Sequence, residues 1–348
     1  MSYFRQNIDA MTPYIPGEQP AGGERVVKLN QNENPYPPSP AALEVLRRFD
    51  GGTLRLYPDP MAREFCRTAG EVVGVRPERI LVGDGSDDII IMIARACLAK
   101  GRTVVYPAPT FPFYFTQAQV EEADVVTVPS GNDFSVPIDA LARAGGAVTF
   151  VANPGSPTGV APSTDQIDYL AGKLDGLLVI DEAYVDFAEE NALALAGRHA
   201  NVIVLRTLSK GYSLAGLRLG FGVANPDLLA GLLKTKAIYN VGALPAAVGS
   251  AAMADQHYHN QCVAKIVASR ARLVADLVDL GFEVVPSQAN FLLVRPPKSN
   301  AKALYEALKA RGILVRYFKE PRLDDKLRIT VGTDEQDAAL VEALKDLL

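Results

Sequence analysis

Residues 201–220 read N-V-I-V-L-R-T-L-S-K-G-Y-S-L-A-G-L-R-L-G. The apolar run 202–205 has the composition of a strand buried on both faces. The chain then turns polar at once, with Arg206, Thr207, Ser209 and Lys210, and Arg218 follows eight residues after the lysine. A lysine flanked by a hydroxyl and a second cation, just past a strand, suggests a covalent amine beside an anion site. Similar short apolar runs occur at 79–82, 103–106, 124–128, 147–151, 177–181 and 219–223, with helical patterns at 87–99, 111–120 and 163–173 between them. Short apolar strands alternating with helices predict an α/β fold: a mainly parallel, mixed, seven-stranded sheet between helices.

Working outward, the stretch 12–40 is rich in Pro, Asn and Gly, and its prolines exclude a long helix. It reads as an extended arm with one short strand near 26–29, lying on its own domain or on a partner subunit. Helices at 41–49, started by Ser39 or its neighbouring prolines, and at 61–73 flank the turn L-Y-P-D-P at 56–60. Beyond Asn225 the pattern becomes helical, at 226–239, 244–256 and 258–280. Smaller elements then follow: strands 282–285, 290–294, 313–316 and 326–331, and helices 300–311 and 334–347. These predict a compact second α/β unit with antiparallel pairing. The expected organisation is an arm with part of the small domain at 1–40, a large domain at 41–260 and a small C-terminal domain at 261–348.

The bulk numbers narrow the function classes. The chain has 348 residues, 48% apolar and 22% charged, with net charge −5. That composition suits a globular enzyme and, with no basic run, disfavours nucleic-acid binding. No apolar stretch approaches the roughly 20 residues that span a bilayer, and the first ten residues lack the apolar core of a signal peptide. Cys66, Cys97 and Cys262 form no C-x-x-C pair and are expected to pack in the core of a cytoplasmic protein. His199, His257 and His259 are expected to be solvated, and no Ser–His or Cys–His nucleophile system is indicated.

Four further places carry chemistry. The turn V-G-D-G-S-D-D at 82–88 joins a strand to a helix. It reads either as a capped helix start with Ser86 as N-cap, or as an anion site made of backbone N–H groups. It is not a dinucleotide fingerprint, because Asp88 stands where the third glycine belongs. Asp181 closes an apolar strand at its carboxyl end. A carboxylate there can hold a proton on an aromatic nitrogen: at about 4 Å and an effective dielectric near 20 the pair gains roughly 4 kcal/mol, about three pKa units. Tyr184 can share that site; a helix cap or a metal carboxylate is the alternative, the metal disfavoured because no histidine is nearby. A-N-P-G-S-P-T-G at 152–159 is a rigid strand-end turn or a plain loop. Arg328, in L-R-I-T-V-G-T at 327–333, suits bidentate carboxylate binding or a structural ion pair, and Arg316 in G-I-L-V-R-Y poses the same choice.

Taken in order, these motifs resemble the aspartate-aminotransferase superfamily of pyridoxal-phosphate enzymes, fold type I. The set comprises the glycine turn, P-T-F at 109–111, N-P-G-S-P-T-G at 153–159, D-E-A-Y at 181–184, S-K at 209–210, Arg218 and the C-terminal R-I-T-V-G-T. The resemblance covers essentially the whole chain. Within it, T-P-Y-I-P-G, K-L-N-Q-N-E-N-P-Y-P-P-S-P and L-Y-P-D-P resemble histidinol-phosphate aminotransferases in particular.

The resemblance implies roles residue by residue. Lys210 matches the lysine that forms the internal aldimine with pyridoxal 5'-phosphate and then moves the proton between Cα and C4′. Asp181 would pair with the pyridinium nitrogen, Tyr184 and Ser156 would serve the phenolic oxygen, and Phe111 would stack on the ring. Gly85, Ser86, Asp87, Ser209 and Arg218 would hold the phosphate. Tyr57 would reach the phosphate in the neighbouring subunit, implying a homodimer with shared active sites. Arg328 would clamp the substrate carboxylate, with Tyr14, Asn34 and Arg316 around the rest of the substrate. One departure stands out: the family's usual Asn before Pro-Thr-Gly is Ser156 here, a shorter donor that bears on the tuning of the cofactor rather than its binding.

The function this implies is transfer of an amino group from histidinol phosphate to 2-oxoglutarate, in a ping-pong sequence. Rival readings are an aromatic or broad-specificity aminotransferase, a threonine-phosphate decarboxylase-like lyase on the same scaffold, and a non-catalytic sensor, which the retained Lys210 disfavours.

Overall fold

The computed structural model describes residues 2–13, 17–20, 26–297 and 300–348. The expected large sheet is formed by β2 (Ile80–Asp84), β3 (Thr103–Ala108), β4 (Asp124–Pro129), β5 (Val148–Ala152), β6 (Leu177–Asp181), β7 (Val202–Thr207) and β8 (Leu219–Ala224), after a short β1 (Val27–Lys28). Its order is β2-β8-β7-β6-β5-β3-β4. All pairs are parallel except those of β8, which runs antiparallel to both β2 and β7.

That one reversed strand positions the site. β8 starts immediately after Arg218, with Leu219 opposite Asp84 and Gly220 opposite Thr207. The amino end of β8 therefore lies beside the carboxyl ends of β2 and β7. The glycine turn, Arg218 and the segment running into Lys210 meet at one edge, the edge where α/β sheets bind ligands.

The central strands β5 and β6 are buried along their whole length, as continuous apolar runs require. One face is covered by the helices Arg63–Val73, Thr164–Lys173 and Ala243–Ala254, through Phe65, Ile167 and Val248. The other is covered by Gly85–Cys97, Phe113–Val120 and Pro226–Leu232, through Ile89, Tyr114 and Leu229. The helix Thr164–Lys173 opens with a capping box between Ser163 and Gln166.

The C-terminal unit contains β9 (Glu283–Val284), β10 (Phe291–Arg295), β11 (Ile313–Leu314), β12 (Arg316–Tyr317) and β13 (Leu327–Thr330). Its sheet, β12-β13-β10-β9, is antiparallel, as expected. A separate core of Leu273, Leu277, Phe282, Leu292 and Leu340 packs it against the helices Gln256–Asp279 and Asp334–Leu347. The arm joins this unit: β1 pairs in parallel with β11, and Leu29 is buried in the same core.

Several expectations need correction. The helix expected at 226–239 ends at Leu232, where Lys234 and Thr235 donate i→i−3 bonds to Gly231 and Leu232 and tighten the chain out of the helix. The strand expected at 313–316 is two short strands serving different sheets, β11 with β1 and β12 with β13. Short helices Gln6–Ala10, Ile138–Ala144 and Leu195–Arg198 are additional. Cys66 and Cys262 are buried as expected, and Cys97 is partly so.

Candidate active site

Lys210 lies three residues past β7. Its Nζ donates to the Gln31 carbonyl at 3.2 Å and sits 5.7 Å from the centre of the Tyr184 ring. Behind the lysine, Asp186 packs against Gly211, where an added Cβ would come within 2.2 Å of its carboxylate; only glycine fits this turn. The backbone carbonyls of Lys210 and Gly211 accept from Asn34 Nδ2, at 3.0 and 3.1 Å. Asn34 thus holds the lysine's own backbone, a closer relation to Lys210 than the substrate contact expected of it.

The anion cradle forms where β2 enters the helix Gly85–Cys97. Ser86 is not the N-cap: the helix starts at Gly85, Asp84 precedes it, and the Asp84 side chain does not cap it. The Gly85 N–H donates to the Arg218 carbonyl at 3.0 Å, and the N–H groups of Ser86 and Asp87 are left for another acceptor, which is what an anion site needs. Gly85 has φ +74°, and a Cβ there would meet Arg218 Nη2 at 2.5 Å. Arg218 donates to Asp87 Oδ2 at 3.1 Å and to Ser209 Oγ at 3.4 Å. Gly85, Ser86, Asp87, Ser209 and Arg218 are therefore brought together as the motif reading required. The positive end of a helix, a guanidinium and a hydroxyl suit a phosphate.

Asp181 is buried at the end of β6. The Tyr114 hydroxyl donates to its Oδ2 at 2.7 Å and the Ala183 N–H to its Oδ1 at 3.1 Å. Burial pushes this carboxyl up to about 6, against the pull of the Tyr114 hydrogen bond. A buried carboxylate whose two donors are neutral suits a cationic partner such as a protonated ring nitrogen. Tyr114 was not singled out in the sequence, although it lies three residues after Phe111 and so on the same side of a helical turn. It stacks on Phe150 at 4.3 Å and meets Phe111 edge-on at 5.7 Å, building an aromatic wall beside Asp181. Flat aromatic surface, buried acid, lysine and anion cradle together fit pyridoxal 5'-phosphate.

On the opposite side, Arg328 of β13 donates to Ser156 Oγ at 3.2 Å and to the Asn30 carbonyl at 3.1 Å. Its guanidinium also faces the Phe291 and Phe318 rings, 5.3 and 5.5 Å from their centres. Arg316 is its direct cross-strand partner and shares Phe318. Two arginines opposed on neighbouring strands form a cationic floor suited to anionic substrate groups. Ser156 is thus tied to Arg328. Tyr57 is 81% exposed and stacks on Tyr239 at 4.5 Å. Tyr14 lies outside the described residues.

Two features carry no local signal in the sequence. Asn32 Nδ2 donates to the Tyr184 hydroxyl at 2.9 Å. His259 is buried rather than solvated: it stacks on Tyr212 at 4.1 Å, with Nε2 3.5 Å from Asp186. Burial lowers its basicity, but the Asp186 carboxylate outweighs this and raises it. Its spacing from His257 does put the two on different helix faces, and one of those faces is the core. Arg206 pairs with the buried Glu182 at 2.9 Å and is structural.

Comparison with known proteins agrees with this geometry. Residues 24–344 match the model of the family described as aminotransferase class I and II. Histidinol-phosphate aminotransferase 1 of Trichormus variabilis is 55% identical over 347 residues, covering 100% of this chain and 99% of the relative. The histidinol-phosphate aminotransferase of Syntrophotalea carbinolica is 42% identical with full coverage of both. The crystal structure of the Sinorhizobium meliloti histidinol-phosphate aminotransferase with pyridoxal-5'-phosphate superposes with a TM-score of 0.92, at 28% identity, covering 100% of this chain and 99% of that one. This chain belongs to the class I and II aminotransferases.

Proposed function

We propose that this chain transfers the amino group of histidinol phosphate to 2-oxoglutarate with pyridoxal 5'-phosphate as cofactor, giving imidazole-acetol phosphate and glutamate. The single observation that carries the substrate assignment is the 55% identity, from end to end, to a relative named for this activity. When bound, the cofactor's ring draws electrons from the bonds at the substrate Cα.

The chain's own residues supply the rest. Ser86 and Asp87, through their N–H groups, would bind the phosphate with Ser209 and Arg218, and Gly85, whose own N–H goes to the Arg218 carbonyl, lets the turn approach it closely. Asp181 holds a proton on the ring nitrogen, and Tyr114 orients Asp181. Phe111 provides a stacking face. Tyr184 and Ser156 offer hydroxyls to the phenolic oxygen. Lys210 Nζ would be the base that takes the proton from the substrate Cα and the acid that gives it back. Arg328 binds the carboxylate of glutamate or 2-oxoglutarate. Arg316 and Tyr14 recognise the distal group, so that phosphate and carboxylate are accepted in turn.

The chain is read as a large domain at 41–260 and a small one at 261–348 joined by the arm at 1–40, with substrate held between them. A homodimer with shared active sites is part of the proposal. Exposed Tyr57 and Tyr239, flanked in the chain by exposed Leu54, Leu56 and Ile238, support a surface that a second copy covers. Among the described residues no helix is long and apolar enough to cross a membrane; we place the enzyme in the cytoplasm, in keeping with its free cysteines.

A substrate panel tests the assignment. Histidinol phosphate is expected to exceed phenylalanine, tyrosine and threonine phosphate in kcat/KM. Preference for phenylalanine or tyrosine would reassign the donor, and release of carbon dioxide from threonine phosphate would reassign the reaction.

A further inference from the structure

We propose that Asn32 is a positioning residue that fixes the polarity of the Tyr184 hydroxyl, making that hydroxyl a donor toward the bound ligand. The inference rests on the role given to Tyr184 above and adds the residue that sets its proton.

Asn32 is 1% exposed and has φ +55°, a left-handed conformation in which asparagine is common. Its backbone is clamped from β13 and from the residue that precedes β10. Its N–H donates to Thr330 Oγ1 at 2.9 Å, and its carbonyl accepts from Asn290 Nδ2 at 3.0 Å. Thr330 closes the loop: its hydroxyl donates to Asn32 Oδ1 at 3.2 Å.

The orientation of the Asn32 carboxamide sets the direction of the next bond. The Thr330 oxygen accepts the Asn32 N–H and its one proton goes to Asn32 Oδ1. The carboxamide oxygen is thereby held toward Thr330 and the NH₂ toward Tyr184. An amide nitrogen only donates. The Tyr184 oxygen, 2.9 Å away, therefore accepts, and the single phenol proton is left for another acceptor. Among the described residues, no hydrogen bond donated by Tyr184 is found. Phe291 holds the ring edge-on at 5.0 Å, and Lys210 Nζ faces the same ring. Asn32 thus leaves Tyr184 as a donor with a fixed ring and an uncommitted proton, in the site of Lys210.

A donor aimed at the cofactor's phenolic oxygen favours that oxygen's anion. Its loss moves the pH midpoint of the bound cofactor's visible absorbance upward. Asn32→Asp keeps the side-chain size and tolerates the left-handed backbone, but replaces the NH₂ with an acceptor. The Tyr184 proton then turns to the new carboxylate. In cofactor-loaded protein the midpoint is expected to rise by about one pH unit or more, the scale of a charge-assisted hydrogen bond. Tyr184→Phe is expected to raise it similarly, and the double variant no further than Tyr184→Phe alone. A second route avoids altering Asn32: Thr330→Val, which frees the carboxamide to rotate, raises the midpoint, and Thr330→Ser restores it.

Three results would overturn the proposal. If Tyr184→Phe moves the midpoint while Asn32→Asp and Thr330→Val do not, Asn32 has no such role. If the shifts of Asn32→Asp and Tyr184→Phe add, Asn32 acts by another route. If Tyr184→Phe itself has no effect, the role of Tyr184 fails and the proposal with it.

Discussion

On the sheet side of the site, Asp181, Ser209 and the Gly85 turn sit at or just past the ends of strands. On the arm side, Asn30, Gln31, Asn32 and Asn34 sit on a segment with no regular structure of its own. The first group is placed by backbone ladders and a buried apolar core. The second is placed by hydrogen bonds with side chains: it accepts from Arg328, Lys210 and Asn290 and donates to Tyr184 and Thr330. A ladder with its core resists the loss of one side chain, whereas a polar tether loses its function with its partner. Damage on the sheet side is therefore expected to remove chemistry and spare the fold. Damage on the arm side and at β13 is expected to alter affinity and tuning.

Asp181→Asn gives the largest of three separations between the regions. It removes the charge proposed to hold the ring-nitrogen proton, so kcat/KM is expected to fall by about 100-fold or more. The cofactor-free protein responds in the opposite sense. Burial raises the Asp181 carboxyl from 3.8 to about 6, so the folded chain binds this proton more tightly than the unfolded one. Stability is therefore greatest below the unfolded value and is lost as pH rises through about 6, by roughly 3 kcal/mol in full. Cofactor-free Asp181→Asn is expected to melt above the parent protein at pH 7 and level with it near pH 4. A variant less stable at pH 7 would show that the carboxylate is already well paired without the cofactor.

Arg328→Ala comes next and probes the other side. KM is expected to rise about 10- to 100-fold for both amino donor and 2-oxoglutarate, the scale of a lost charge-assisted pair. An unchanged KM for both would make Arg328 a structural residue that holds Asn30 and Ser156. Ser156→Asn, which supplies the residue the wider family uses, is the mildest change. It is expected to alter kcat/KM by less than about tenfold and to move the absorbance midpoint by less than one pH unit. A larger loss would show that Ser156 serves mainly Arg328, since a longer side chain crowds that guanidinium.

The same contrast explains what could be read in advance. Strand-end residues were legible because a short apolar run that stops at Asp181 or precedes Lys210 fixes both the element and the end of it. The reversed strand β8 explains why Arg218, eight residues beyond the lysine, returns to Ser209 and Asp87 at the glycine turn. Asn34 and Asn32 were harder: a loop asparagine shows no periodicity, and its partner at Thr330 lies 298 residues away. The bonds from Asn34 to the Lys210 and Gly211 carbonyls leave no mark in the sequence either. Tyr114 looked like one more aromatic in P-T-F-P-F-Y-F until the fold set its hydroxyl on Asp181. His259 is buried against expectation because spacing within a helix says that two histidines face apart, not which of them faces the core. Local chemistry also ended the 226–239 helix early, through the Thr235 hydroxyl, which donates to the Leu232 carbonyl at 2.9 Å.

The most direct test of the account is chemical labelling of the lysine. Purified protein loaded with pyridoxal 5'-phosphate is treated with borohydride, digested and mapped by mass spectrometry. The account predicts a yellow protein that loses its colour irreversibly and carries one phosphopyridoxyl group on Lys210. Protein that binds no cofactor, or a label found on another lysine while Lys210 stays unmodified, would contradict it.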